Sequence, residues 1–364
     1  MNTISIMQYD HILIYYFSGT GNARNAAQWI HNTAIEKGIS CLLINIDRFD
    51  KINPPDVLGK TLIGFCSPTH GFNLPPLMLK FIGKFPTTQN CDVFILNTRG
   101  GLKLFNWFVP GLSGIAQIFP AFVLWLKGFK VVGMRPLDLP SNWLILHPAL
   151  TEKAVSAIYQ HCRPEVRDFA LKLLDGKKEY RAFWSLPIDI LLIPIAIGYY
   201  FIGRFFLAKT LVATAACNNC DVCVSKCPVE AIVSVNDRPF WSYRCESCMR
   251  CVNICPQRAI ETTHGYSALV VLVSSLVISP LLLAGLNSMG AMDFFKQSFL
   301  TEKLLSLVDA FFFLVFVILS YGVLHFFMRF KFVSRIIAFT SLSRYRFWRR
   351  YKAPKAKLIH SGWQ

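Results

Sequence analysis

Two cysteine blocks constrain this chain more than any other feature. Cys217, Cys220, Cys223 and Cys227 follow the spacing C-x2-C-x2-C-x3-C and are closed by Pro228. Cys245, Cys248, Cys251 and Cys255 repeat that spacing and are closed by Pro256. The repeat is offset by 28 residues and extends to its flanks, where "CPVEAI" returns as "CPQRAI". The chain holds twelve cysteines in 364 residues. In a small secreted protein that number would suggest disulfides, but here eight of them sit in two matched blocks, which points to metal ligation. Thiolates are soft ligands that suit iron–sulfur chemistry. Zinc is the competing reading, yet zinc sites rarely use eight cysteines with two repeated C-P endings.

The run resembles that of the bacterial two-cluster ferredoxins, in which the fourth cysteine of each block ligates the other cluster. The resemblance implies two 4Fe–4S clusters. One would be held by Cys217, Cys220, Cys223 and Cys255, the other by Cys245, Cys248, Cys251 and Cys227. A small α+β ferredoxin domain is expected over residues 211–264.

Upstream, short apolar β-rich runs alternate with helix-like stretches. "HILIYYF" (11–17), "CLLINI" (41–46), "TLIGFC" (61–66), "DVFILN" (92–97) and "KVVGMRP" (130–136) read as strands of a buried parallel sheet. Between them lie "ARNAAQWIHNTAIEKG", with Gly38 as its C-cap, and "LPPLMLKFIGKF", while "EKAVSAIYQHCRPEVRDFALKLL" follows the fifth strand. The alternation predicts a doubly wound α/β domain over residues 8–176, with ligands at the carboxyl ends of the strands. Three loops are expected there: "SGTGN" (18–22), "SPTHGFNLPP" (67–76) and "NTRGG" (97–101). The first joins a strand to a helix start and suits a phosphate. Ser18, Thr20 and Asn22 offer side-chain donors there, and Gly19 and Gly21 allow close backbone approach. A Walker loop is excluded, and Arg24 spoils a G-x-G-x-x-G fingerprint.

These loops resemble those of flavodoxin, whose first loop reads T/S-x-T-G-N-T and holds the FMN phosphate. Ala23 departs from that pattern by lacking a hydroxyl. The resemblance implies FMN bound by Ser18, Gly19, Thr20, Gly21, Asn22, Pro68, Thr69, His70, Gly71, Thr98, Arg99 and Gly100, with His70 or Phe72 flanking the ring.

The chain is also greasy and basic, with mean hydropathy +0.40 and net charge +17. Residues 177–210 contain a charge-free run of only 14 residues between Asp189 and Arg204. As a helix it would reach about 21 Å, short of a ~30 Å hydrocarbon core. With Pro187 and Pro194 inside the segment, an interfacial or re-entrant segment is expected. Residues 265–329 carry two runs long enough to span, 266–286 and 310–328. Beyond Met328 stand ten Lys/Arg and no acid, which the positive-inside rule places in the cytoplasm. Two spans then put both redox domains on that side of the inner (cytoplasmic) membrane, and no signal peptide is expected. The basic tail, 330–364, follows a span directly, so it reads as a lipid anchor rather than a nucleic-acid site.

Two readings stand for the charge-free stretch 104–126. It is an enlarged loop and fourth helix, or it also docks the domain on the bilayer or the spans. Asp189, Asp309 and His325 lie near segment ends and are expected to snorkel, while Cys41, Cys66, Cys91 and Cys162 read as small buried residues. A flavodoxin-like domain followed by a two-cluster ferredoxin resembles the bacterial and archaeal ferredoxin–flavodoxin fusions, the ferrodoxins, with the spans making this a membrane-anchored member. That implies electron transfer between the clusters and FMN. The alternatives are a flavin-dependent reductase of a quinone or polyprenyl lipid, and a flavin-free membrane ferredoxin or redox sensor. Membrane lipid and unidentified redox donors and acceptors are the expected partners. No NAD(P) motif is visible.

Overall fold

The computed structural model describes residues 8–49, 59–87, 91–290, 299–348 and 354–355. Parts of the inter-span loop (291–298) and of the basic tail (349–353 and 356–364) lie outside them. The chain divides into two units, Met1–Trp143 with Pro148–Tyr200 and Arg349–Gln364, and Leu144–His147 with Phe201–Trp348.

In the first unit the strands are β1 (His11–Tyr16), β2 (Ser40–Asn45), β3 (Thr61–Pro68), β4 (Asp92–Leu104), β5 (Trp107–Val109) and β6 (Lys130–Pro140). The parallel ladders run β2-β1-β3-β4-β6, and β5 folds back antiparallel on the end of β4. Leaving out that hairpin, the order is 2-1-3-4-5, which is the flavodoxin-like doubly wound sheet. Helices α1 (Asn22–Glu36), α2 (Pro76–Lys84), α3 (Ile118–Leu126) and α4 (Glu152–Leu174) complete the α/β unit. The strands are apolar throughout because helices cover both faces. Ile12, Ile14, Phe65 and Phe94 are fully buried, and Tyr15 packs on Phe65, Phe81 and Phe85.

Two boundaries differ from the sequence reading. β6 runs on to Pro140, and β4 continues to Leu104, because residues Asn97–Gly101 pair with Pro136–Pro140. The expected loop "NTRGG" is therefore strand. The stretch 104–126 runs from the end of β4 through β5 and a 3-10 turn into α3.

Beyond α4, Glu179 joins the sheet edge: its N–H donates to the Val132 carbonyl, and its carbonyl accepts from Met134 N–H. Helical segments Arg181–Leu191 and Ile193–Ala208 then meet at 76°. Asp189 does not snorkel. It is 2% exposed and accepts from Gly114 N–H at 2.8 Å and the Ser185 hydroxyl at 2.7 Å.

The second unit is an α+β domain with two helices long and apolar enough to cross a membrane, His264–Ser288 and Leu305–Phe327. Its strands β7 (Leu211–Ala213) and β10 (Ile260–Thr262) pair antiparallel, as do β8 (Ile232–Val235) and β9 (Arg238–Trp241). Tyr321, within the second long helix, donates to the Leu211 carbonyl at 2.9 Å and packs with Val212, Leu324 and Met328. His325 is likewise buried, edge-on to Phe240, and Asp309 accepts from the Ser279 hydroxyl. The buried His325 does not reach outward as expected. After the second helix the chain returns to the ferredoxin strands: Ser334 accepts from Ala215 N–H and Ser343 from Thr262 N–H.

Candidate functional site

The duplication seen in the cysteines is repeated in the backbone. Asn219, Asp221 and Glu230 adopt left-handed φ of 56°, 50° and 51°. Ser247, Met249 and Arg258, each 28 residues later, adopt 50°, 59° and 48°. Side-chain-bearing residues rarely hold this conformation, and it persists only where the surroundings impose it. A short helix follows in each block, Val222–Ser225 and Arg250–Ile254. The fourth thiols match as well, since Cys227 accepts from Ala231 N–H and Cys255 from Ala259 N–H, both at 3.3 Å.

The fold mixes the blocks. Cys217, Cys220 and Cys223 line one cavity together with Cys255, beside Asp221 and Pro239. Cys245, Cys248 and Cys251 instead lie near Cys227. Burial raises the pKa of all three, and the Cys227 charge raises them further. Cys248 is pushed up to about 12. In the other set burial, with Cys217 and Cys255 as charged neighbours, pushes Cys223 up to about 11. Thiols gathered this way resist ionising together unless a cationic centre offsets their charge. Among the described residues no three Cys, His, Asp or Glu converge tightly enough to grip a single ion.

The sequence reading missed Lys209. The residue is 3% exposed, and its ammonium donates to the Trp241 carbonyl and lies 4.5 and 4.6 Å from the Phe240 and Tyr321 rings. Burial lowers its pKa to about 8, and the nearby Cys245 charge partly opposes that.

At the carboxyl edge of the flavodoxin-like sheet, the first loop turns into α1 at Gly21, whose N–H donates to Ser18 Oγ at 3.0 Å. Ser18, Gly19 and Thr20 are half-buried in that turn. The Asn22 side chain is committed elsewhere, donating to the Pro140 carbonyl at 2.7 Å and accepting from Tyr159 at 2.6 Å. In the second loop, beyond Pro68, His70 and Asn73 exchange backbone hydrogen bonds around Gly71 (φ 53°) and Phe72 (φ 65°). Both central residues at positive φ make this a type I′ turn. A Cβ on Gly71 would lie 2.0 Å from the Tyr199 ring, so glycine is needed for contact as well as conformation. His70 is buried, 6.4 Å from the Phe17 ring and 5.9 Å from that of Trp143, which in turn packs on Tyr199.

Thr98, Arg99 and Gly100 are strand residues. Thr98 accepts from Thr69 N–H, and Arg99 binds Asp138 through two nitrogens at 2.7 and 3.2 Å. The arginine is thus held by the sheet. What the sequence reading overlooked is the end of β6. Asn142 follows Ser141, which faces Gly100, and precedes Trp143. Both polar atoms of Asn142 are buried without a partner among the described residues, as are Ser67 Oγ and Gln117 Oε1. Buried polar groups are normally satisfied, so Ser67, Gln117 and Asn142 fit a ligand carrying both donors and acceptors, as the flavin edge does. The signal was present in "SNW", directly after the last strand.

Residues 216–260 match a family model described as a 4Fe–4S dicluster domain. This is an iron–sulfur domain. The solved structures similar to the chain include the rubredoxin oxygen:oxidoreductase of Desulfovibrio gigas. It is 17% identical with TM-score 0.30, over 45% of this chain and 36% of that one. A flavodoxin from the domain Archaea is 20% identical with TM-score 0.29, over 44% and 97%. Flavodoxin 1 of Bacillus cereus is 17% identical with TM-score 0.27, over 43% and 97%. The chain therefore spans only about a third of the oxidoreductase. At such scores these likenesses carry no weight, and the flavodoxin-like assignment rests on strand order. No curated protein matches the chain.

Proposed function

We propose that this protein is a membrane-anchored electron carrier holding two 4Fe–4S clusters and FMN, with its redox units and tail on the cytoplasmic side. The observation that carries this reading is the crossed grouping of the thiols, which gives two four-cysteine sets. Cys217, Cys220, Cys223 and Cys255 would hold one cluster, and Cys227, Cys245, Cys248 and Cys251 the other. Bound there, such clusters each take one electron, and FMN takes one or two.

The chain's own residues set the surroundings. Ala231, Ala259 and Ser247 N–H groups donate to Cys227, Cys255 and Cys245 sulfurs, and hydrogen bonds to the sulfurs are one of the factors that set cluster potential. The Lys209 ammonium adds a buried positive charge beside the second set. At the flavin loops, the Ser18–Asn22 turn would hold the phosphate, the His70–Asn73 turn would lie toward the ring, and the buried polar atoms of Asn142 would suit its polar edge. The hydrogen bonds from Ala215 and Thr262 to residues beyond the second long helix support the ferredoxin and the tail sharing one side of the bilayer. The ten Lys/Arg beyond Met328 support the cytoplasm as that side.

The test is a reductive titration of the purified protein under anaerobic conditions. About four electrons per chain are expected, two for FMN and one for each cluster. An uptake of about two electrons with no flavin absorbance would remove FMN from the assignment.

A further inference from the structure

The first unit carries aromatic surface that its own fold does not use. In the β4–β5 hairpin Phe105 is 94% and Trp107 77% exposed, and on α3 Trp125 is 63% exposed. On the bent segment Trp184 is 81% and Leu191 76% exposed. Two segments far apart in sequence are joined here. The 3-10 turn Gly114–Ala116, between hairpin and α3, packs on the helices Leu186–Leu191 and Ile193–Gly198, and Asp189 clamps Gly114. That clamp withdraws the segment's one acid from the surface.

The charges that the hairpin and α3 themselves carry are cationic, and Asp138, against Gly111, is paired with Arg99. Residues 101–128 contain Lys103 and Lys127 and no acid. Lys103 lies 4.9 Å from the Phe108 ring, and Arg181 lies 5.2 Å from that of Trp184. Exposed tryptophan and phenylalanine beside lysine and arginine is the composition of surfaces that lie in the lipid headgroup region. So many exposed large aromatics on a soluble unit would mark a binding surface of some kind. The basic rim and the chain's own apolar helices select lipid over a protein partner, because those helices hold the unit at high effective concentration near a bilayer.

We infer that the hairpin Leu102–Val109, α3 and the bent segment form one lipid-docking face, which lays the flavodoxin-like unit on the anionic surface of the membrane. The inference rests on the reading of the chain as membrane-bound. It also gives the bent segment a role toward the flavin loops, since Tyr199, one residue beyond the helix Ile193–Gly198, packs on Gly71.

The experiment uses the full chain in vesicles containing phosphatidylglycerol and a photoactivatable diazirine phospholipid, with labelled peptides mapped by mass spectrometry. Label is expected in 102–109, 118–126 and 184–198 as well as in the two long helices. In the F105D/W107D variant, label in the hairpin and α3 is expected to fall at least fivefold, with the long helices labelled as before. The same fall is expected in purely neutral lipid. Labelled long helices with an unlabelled face would overturn the docking inference and leave the membrane reading standing. If the long helices were unlabelled too, the membrane reading itself would fail.

Discussion

Replacing Asp189 by alanine tests whether the bent segment is built into the flavodoxin-like unit. The carboxylate is 2% exposed and accepts two hydrogen bonds, from Gly114 N–H at 2.8 Å and Ser185 Oγ at 2.7 Å. Hydrogen bonds to a charged group contribute about 1.5–3 kcal/mol each. Part of that is offset in the variant, because the cost of burying a carboxylate disappears. Ser185 also has a second acceptor within reach, the Ala182 carbonyl at 3.4 Å. Gly114 N–H has no such substitute, and an unsatisfied buried donor costs about 1–3 kcal/mol. The net loss is therefore about 2–3 kcal/mol, which in a unit of this size lowers Tm by roughly 5–10 °C. Asp189→Asn keeps an acceptor for Gly114 and is expected to lose less than about 1 kcal/mol. Thermal melting of the detergent-solubilised protein measures both, and limited proteolysis between Arg181 and Arg204 reports release of the segment. An alanine variant that melts with the wild type, or an asparagine variant as damaged as alanine, would refute the clamp.

Other consequences follow from the same geometry. The double variant C217S/C255S removes two ligands from one crossed set and should leave one cluster, seen as about four irons per chain; ligation within each block would instead lose both. Gly71→Val places a branched side chain at φ 53° against the Tyr199 ring, and flavin affinity should fall more than tenfold while iron content holds. Burial lowers the pKa of His31, with a hydrogen bond to Asn32 opposing it. A group depressed on folding stabilises above its unfolded pKa, and the contribution is lost as pH falls through the folded value. The first unit should therefore lose Tm between pH 7.5 and 5.5, and His31→Gln should lose less, as measured by melting at both pH values.

The cysteine blocks were legible because ligand spacing is a local property that sequence displays directly. Each strand core was equally plain, since a sheet covered on both faces needs uninterrupted apolar runs. What failed to show were contacts made by sequence-distant partners. Arg99 read as a loop donor because nothing local announces Asp138 as its partner, and Asn22 read as a phosphate ligand because Tyr159 lies on a distant helix. Asp189 and His325 looked like interfacial groups for the same reason: their burial depends on Gly114 and Phe240, which no periodicity links to them. Lys209 carried no motif at all. Its carbonyl acceptor and two aromatic neighbours come from β9 and from a helix more than a hundred residues away.

The central claim is that one chain carries two clusters and one flavin. It is tested most directly by counting iron, acid-labile sulfide and released flavin in protein purified anaerobically in detergent. About eight irons, about eight sulfides and one FMN per chain are expected. Eight irons with no flavin after reconstitution would contradict the flavin assignment, and four irons or fewer would contradict the paired thiol sets.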